Sequence, residues 1–343
     1  MGALRLWVLL TSTIPAFAQS IVHSPPRPTR WVLVYAGSLK GSRPKYTVGD
    51  FERLLAEVDS AGRPQQWLCT GVIFLHLYAP SGRVFTTWVG GPAATGEDWD
   101  QYLDSLFAPG GALHRLDSAI VAVTNVIGPL GQRVPISIML PYPDPASDSL
   151  QFRHQTYVLT ESKGRVAALS AYVKQASARF DTSAFPNLRF DGFYWLHETM
   201  PNGDTSVVMD VASAVHANGL RLLWVPYFNA QRWDRWKALG FDEAWLQPNY
   251  FFDRNLPATR LDTAATRAMA AGMGLEVEFD GRLYADPRFS DRLDPYLVAL
   301  ETHPELRDKA VVLYEGGGGL LRLSRSQVQT DREQYRHLAK SLQ

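Results

Sequence analysis

The chain has 343 residues, 46% of them hydrophobic and 20% charged, the make-up of a folded globular protein of one large domain or two ordinary ones. Lys plus Arg and Asp plus Glu both number 34, so the net charge is zero and there is no basic field to hold nucleic acid or a membrane surface. Cys69 is the only cysteine, which excludes an intrachain disulfide and a zinc site built from cysteines.

Residues 1–18 carry the pattern of a signal peptide: Arg5 is the one early charge, Leu6 to Ile14 is mostly apolar, and Ala16-Phe17-Ala18 fits small-x-small cleavage. The apolar run is too short to span a bilayer. The mature chain is expected to begin near Gln19, with no membrane contact after cleavage. A leader without disulfides points to a bacterial periplasmic or secreted protein. Residues 19–29, with Pro25, Pro26 and Pro28, read as a linker into a domain at 30–343.

The domain opens with an apolar run at 31–36 that ends at Gly37, then a helical pattern around Phe51 to Val58. A second strand is expected at 70–78, followed by a Gly-, Pro- and Thr-rich loop at 81–96 over one end of the fold. Apolar spacings of three and four predict helices at 97–107 and 112–127. Strands follow at 134–140, 188–196, 220–226, 243–247, 273–279 and 310–314. Helical patterns lie between them at 164–180, 205–218, 231–239, 258–271 and from Asp286 to about residue 302. Glu315 and the glycines Gly316 to Gly319 read as a flexible rim loop, and Ser324 to Leu342 as a final helix. Eight strands alternating with helices predict parallel βαβ units and a single (β/α)8 TIM barrel. The rival, a doubly wound sheet with a nucleotide site, calls for a GxGxxG or Walker A pattern after an early strand, and neither is present.

In such a barrel the chemistry sits where the strands end. The residues there are His76, Tyr78, Tyr142, Asp144, His197, Glu198, Tyr227, Asn229, Gln247, Asn249, Tyr250, Glu278, Asp280 and Glu315. The fourth strand is aromatic-rich and stops abruptly at Glu198. On the seventh, Glu276, Glu278 and Asp280 alternate with apolar residues and share one face. Acids are costly to bury without partners or purpose. They are either structural, paired with Arg189 or Arg221, or functional. Two strand ends that carry carboxyls suggest glycosidic-bond chemistry. Glu198 is the expected general acid. Glu278, nearer the tip than Glu276, is the expected nucleophile or base, with Glu276 and Asp280 tuning its charge. Asn229, Gln247 and Asn249 are expected to bond sugar hydroxyls, and Tyr142, Tyr227 and Tyr250 to offer flat faces. Glu315 stands at the rim as a further substrate contact. Asp191, deeper in its strand, is a substrate contact or a buried structural acid. His76 and His197 are expected substrate contacts, and read as hydrogen-bonding histidines rather than metal ligands. No Ser-His-Asp elbow and no His-Glu-x-x-His motif occurs. The expected partner is a carbohydrate substrate, with no cofactor and no metal, and the expected state is a monomer.

The segments IMLPYPDP, FDGFYWLHE, LLWVPYFNA, WKALGFDEAWLQPNYFF and GLEVEFDG resemble the uncharacterised family named domain of unknown function 4855, from about Val32 to the eighth strand. That resemblance implies a TIM barrel similar to glycoside hydrolases of polysaccharide-degrading bacteria. FDGFYWLHE is also similar to the chitinase-like motif DGxDxDxE, with Asp191-Gly192 at its start and Glu198 as the acid, but Tyr194 and Leu196 stand at the two middle Asp positions. A second similarity is to the glycosidase superfamily with an acid/base Glu after the fourth strand and a nucleophile Glu near the seventh. There the acid usually follows Asn; here it follows His197. These similarities imply a retaining glycoside hydrolase with Glu198 and Glu278 as its pair. The alternatives are a non-catalytic carbohydrate-binding barrel and, less favoured, a polysaccharide lyase or esterase.

Overall fold

The computed structural model describes residues 29–36, 46–306 and 309–343. The expected signal peptide, residues 19–28 of the expected linker, and Gly37 lie outside the described residues.

Eight parallel strands close on themselves: β1 Arg30–Tyr35, β2 Gly71–Leu75, β3 Val134–Leu140, β4 Leu188–Trp195, β5 Arg221–Trp224, β6 Glu243–Leu246, β7 Gly274–Val277 and β8 Val311–Tyr314. Each pairs with its neighbour in the chain, and β8 pairs with β1. Val32 lies opposite both Val72 and Leu313. Every residue of β2 and β3 is buried, because one face fills the barrel and the other packs under helices. This is the predicted (β/α)8 barrel.

Several strands stop earlier than expected. β5 ends at Trp224, because Pro226 has no N–H to give its neighbour; the ladder resumes only as an isolated bridge between Tyr227 and Gln247. β7 ends at Val277, so Glu278 and Asp280 lie beyond it. Two hairpins were not predicted. Ala56–Val58 pairs with Pro64–Trp67, so the expected helix to Val58 stops at Leu55. Ser149–Phe152 pairs with Gln155–Val158 through Arg153 and His154, both left-handed (φ 49° and 64°) without the usual Asn-Gly signal. The helix expected at 231–239 is a single 3-10 turn, Trp233–Arg235, and the final helix is two, Gly319–Arg325 and Gln329–Ser341.

The N-terminal end of the barrel is closed by ions. Asp191 is fully buried and accepts from Arg189 at 2.5 Å and Arg221 at 3.2 Å. Arg221 also reaches Glu243 at 3.0 Å, which accepts from the Trp31 indole at 3.3 Å. Trp31, Arg221 and Glu243 sit at the starts of their strands, so Asp191 belongs to the floor of the barrel. It is a structural acid, which corrects its expected role in substrate binding. Next to it Gly192 adopts φ +151°, and a Cβ there would lie 1.9 Å from the Arg221 carbonyl oxygen. We expect Gly192→Ala to destabilise the fold by more than the roughly 1–3 kcal/mol of backbone strain alone, read as a lower urea midpoint at unchanged slope.

Candidate active site

Three glutamates meet at the C-terminal mouth. Glu198 follows β4 by three residues and is half-buried. Desolvation raises its pKa to about 7, and a hydrogen bond from the Gln247 side chain only partly opposes this. Glu276 on β7 and Glu278 just past it are almost fully buried. Burial raises both, and each also feels the negative charge of Glu198. The pair differs in its hydrogen bonds. Glu278 accepts from the Tyr296 hydroxyl at 2.7 Å and from the backbone N–H groups of Asn249 and Tyr250, all of which favour its ionised form. The leading influences on Glu276 are burial, Glu278 and Glu198, and all three favour its neutral form. Burial still raises Glu278 to about 8, but of the two it is the one whose hydrogen bonds favour ionisation. Arg189 and Arg221 are engaged at the floor, so the ion pairs considered for Glu276 and Glu278 do not form.

Tyr194 and Tyr35 complete the neighbourhood. Tyr194 feels Glu198 and Glu276; Tyr35 feels Tyr314, Glu198 and Tyr194. Sequence reasoning missed Tyr35, Tyr194 and Tyr296. Tyr194 shares the parity of Glu198, and Tyr35 ends an apolar run, so both left a signal. Tyr296 arrives from helix Asp294–Thr302 and left none.

The other expected residues divide. Gln247 is buried, donates to the Val225 carbonyl at 3.1 Å and supports Glu198. Asn249, left-handed at φ 52°, accepts from the Phe228 N–H at 2.9 Å and donates to Gln247 at 3.0 Å. Tyr227, Asn249, Glu198, Thr199 and Trp88 line a pocket of about 290 Å³. Asn229 is exposed and does not line it. Tyr250 is buried beneath Arg292, whose guanidinium carbon lies 3.4 Å from its ring centre, so its expected open face is covered. Tyr142 likewise is no platform: it stacks on His197 at 4.2 Å and donates to Asp204 at 2.9 Å, and Asp204 is paired with buried Arg165 at 2.5 Å. His197 holds Thr86 through Nδ1 at 3.1 Å, and burial lowers its pKa. His76 is buried against Phe85 and Tyr102 and burial lowers its pKa to about 4, leaving it neutral, so it is a core histidine and not the expected substrate contact.

Two acids are turned away from the cluster. Asp280 is clamped by Arg282 at 2.8 Å, because the alternation of a strand no longer governs its direction past Val277. Glu315 is fully buried and accepts from Leu320 N–H at 2.8 Å, anchoring helix Gly319–Arg325. The glycines before that helix are a packed turn, not a flexible rim: a Cβ on Gly317 would lie 1.9 Å from that of Asp280. Among the described residues, no group of three or more His, Cys, Asp or Glu is arranged to hold a metal ion.

The cluster makes a pH-dependent stability prediction. The folded pKa of Glu276 lies well above its ordinary 4.5, so the native state binds its proton more tightly than the unfolded chain. That stabilisation is full below about 4.5 and is lost as pH rises through the folded value. Glu276→Gln removes the titration. We expect it to match wild type near pH 4.5 and to exceed it at pH 9 by about 1–3 kcal/mol, measured by urea unfolding at both pH values.

A family model described as a domain of unknown function (DUF4855) matches residues 30–340. The chain belongs to the DUF4855 family. The matched span of this DUF4855 domain runs from the first residue of β1 to the last helix, and includes all eight strands and the three clustered glutamates. No curated protein matches the chain. Among solved structures it is similar to a xylanase-alpha-amylase inhibitor protein in complex with trehalose, at 14% identity and TM-score 0.45, over 93% of this chain and 98% of that one. It is also similar to a mutant tryptophan synthase alpha-subunit from Pyrococcus furiosus, at 12% identity and TM-score 0.43, over 92% and 98%.

Proposed function

We propose that this DUF4855 domain is an exported glycoside hydrolase. One observation carries the reading. Glu198, whose pKa burial raises to about 7, faces a pocket at the mouth of the barrel, and in its electrostatic reach lies Glu278, which burial raises to about 8 and which three hydrogen-bond donors hold in place for ionisation. Burial moves both carboxyls toward neutral pH, and what separates their roles is placement: Glu198 opens on the pocket, whereas Glu278 lies under donors that stabilise it once ionised. Glu198 gives its proton to the glycosidic oxygen as the bond breaks. Glu278 attacks the anomeric carbon, or activates a water that does so. A separation of about 5–5.5 Å between the carboxyls serves the first course and about 6.5–9.5 Å the second; retention is the preferred outcome. Glu276, held neutral, lowers the negative charge of the cluster. Tyr35 and Tyr194 place hydroxyls near the carboxyls. Export rests on the leader pattern; among the described residues no helix is long and apolar enough to cross a membrane.

The test is incubation of the purified mature chain with a panel of polysaccharides, with products resolved by chromatography. New reducing ends without absorbance from an unsaturated ring support hydrolysis. An unsaturated product would point to a lyase, and a released acid to an esterase.

A further inference from the structure

The segment after β2 does not stay over β2. Phe85 donates its N–H to the Leu77 carbonyl at 3.0 Å, and its own carbonyl accepts from Tyr142, just past β3, at 2.8 Å. Thr86 meets His197, past β4, at 3.1 Å. Trp88, on the 3-10 turn Thr87–Val89, then shares a pocket with Tyr227 past β5 and Asn249 past β6. The far side is tied back, since Val84 bonds Pro92 at 2.9 Å and Ala94 at 2.8 Å. The chain thus crosses two strand tips, is pinned at each, and holds an indole out on the far side. Trp88 is 50% exposed, and is the one exposed tryptophan among the described residues. What singles it out is its place on the wall of a pocket whose other groups are polar, the pattern of a ligand site.

The pocket contains Glu198 but neither Glu276 nor Glu278. The ring that is cut must lie with its anomeric carbon between Glu198 and Glu278. On the hydrolase reading, a pocket that reaches Glu198 alone of the three glutamates is assigned to the departing sugar. Its volume of about 290 Å³ is at the small end for ligand pockets, enough for about one ring. Its polar groups are suited to hydroxyls: Thr199 accepts from Gln231 at 2.9 Å and keeps its own hydrogen, and Asn249 gives only one amide hydrogen to Gln247. The C–H face of a pyranose lies against an indole as an apolar surface lies on an aromatic one.

We infer that Trp88 is the stacking face of the leaving-group subsite and takes one pyranose ring of an oligosaccharide chain, an inference that rests on the hydrolase reading. The probes are cellohexaose, xylohexaose, mannohexaose, maltohexaose and chitohexaose. Whichever of them the wild type cleaves should shield tryptophan emission from acrylamide quenching when bound to Glu198→Gln. Trp88→Ala should remove that shielding and lower kcat/KM for the same hexaose about tenfold or more, with Trp88→Phe recovering most of it. The loss should shrink for the glycosyl fluoride of that sugar, whose leaving group is a single atom. A cleaved hexaose with kcat/KM unchanged in Trp88→Ala would overturn the subsite alone, as would an equal loss on the fluoride. Neither cleavage nor binding of any hexaose would count against the hydrolase reading and the subsite with it.

Discussion

Glu198→Gln is expected to lower hydrolysis of a polysaccharide by about 10²–10⁴-fold, the usual contribution of a positioned general acid, while leaving the fold intact. The amide has the shape of the acid and can keep the Gln247 contact, but it has no proton to donate to the glycosidic oxygen. Because burial already raises the Glu198 pKa to about 7, the wild-type side chain is about half neutral at neutral pH, and a neutral amide costs the protein little. Melting temperature should therefore be unchanged or higher above pH 7. The loss should also depend on the leaving group. An aryl glycoside with an acidic phenol departs without protonation, so its rate should fall far less than that of a sugar–sugar bond. The pH profile supplies the sign: Glu198 works only when protonated and Glu278 only when ionised, so kcat/KM of wild type should be bell-shaped with limbs near 7 and 8, and Glu198→Gln should lack the alkaline limb.

The second large effect belongs to Glu278→Gln. The Tyr296 hydroxyl and two backbone N–H groups are placed to stabilise an anion there, and an amide offers them none. A loss of 10⁴-fold or more is expected, about 5 kcal/mol of barrier at 1.36 kcal/mol per decade. Unlike the loss at Glu198, it should be as large for aryl glycosides as for oligosaccharides, because it acts at the anomeric carbon and not at the leaving oxygen. In Glu278→Gly, where the missing side chain leaves room for the anion, added azide should restore turnover of an aryl glycoside in a retaining enzyme, giving a glycosyl azide of inverted configuration, read by proton NMR. Equal loss of both substrates with no azide product would assign Glu278 to water activation. Full activity in Glu278→Gln with loss in Glu276→Gln would move the role one turn of alternation deeper, to Glu276.

The barrel was legible because its strands are buried on both faces and stand out as apolar runs between helical patterns. The glutamates were legible for the converse reason: an acid such as Glu198 directly after FYWLH, or Glu276 within GLEVEF, conflicts with its surroundings. What alternation could not give is where a strand ends or which end a residue lies near. Asp280 kept the parity of Glu276 and Glu278 on paper, but the backbone leaves the strand at Val277 and Arg282 takes the side chain. Asp191 sits in the same strand as the residues leading to Glu198, yet faces arginines at the opposite end. Tyr142 and Tyr250 stand at strand tips as expected, but His197 and Arg292 cover them. Tyr296 and Trp88 reach the mouth from a helix and a long loop, and no local pattern reports a contact made across the fold.

The most direct test is reducing-end release by wild type and Glu198→Gln side by side on one polysaccharide panel at about pH 7.5, between the Glu198 and Glu278 pKa values. A carboxyl pair at the mouth that cleaves glycosidic bonds predicts release by wild type on at least one substrate and a loss of about 10²-fold or more in the variant. Release that persists at the wild-type rate in Glu198→Gln, or the absence of release across the panel while wild type still binds a saccharide, would contradict it and favour a barrel that only holds its carbohydrate.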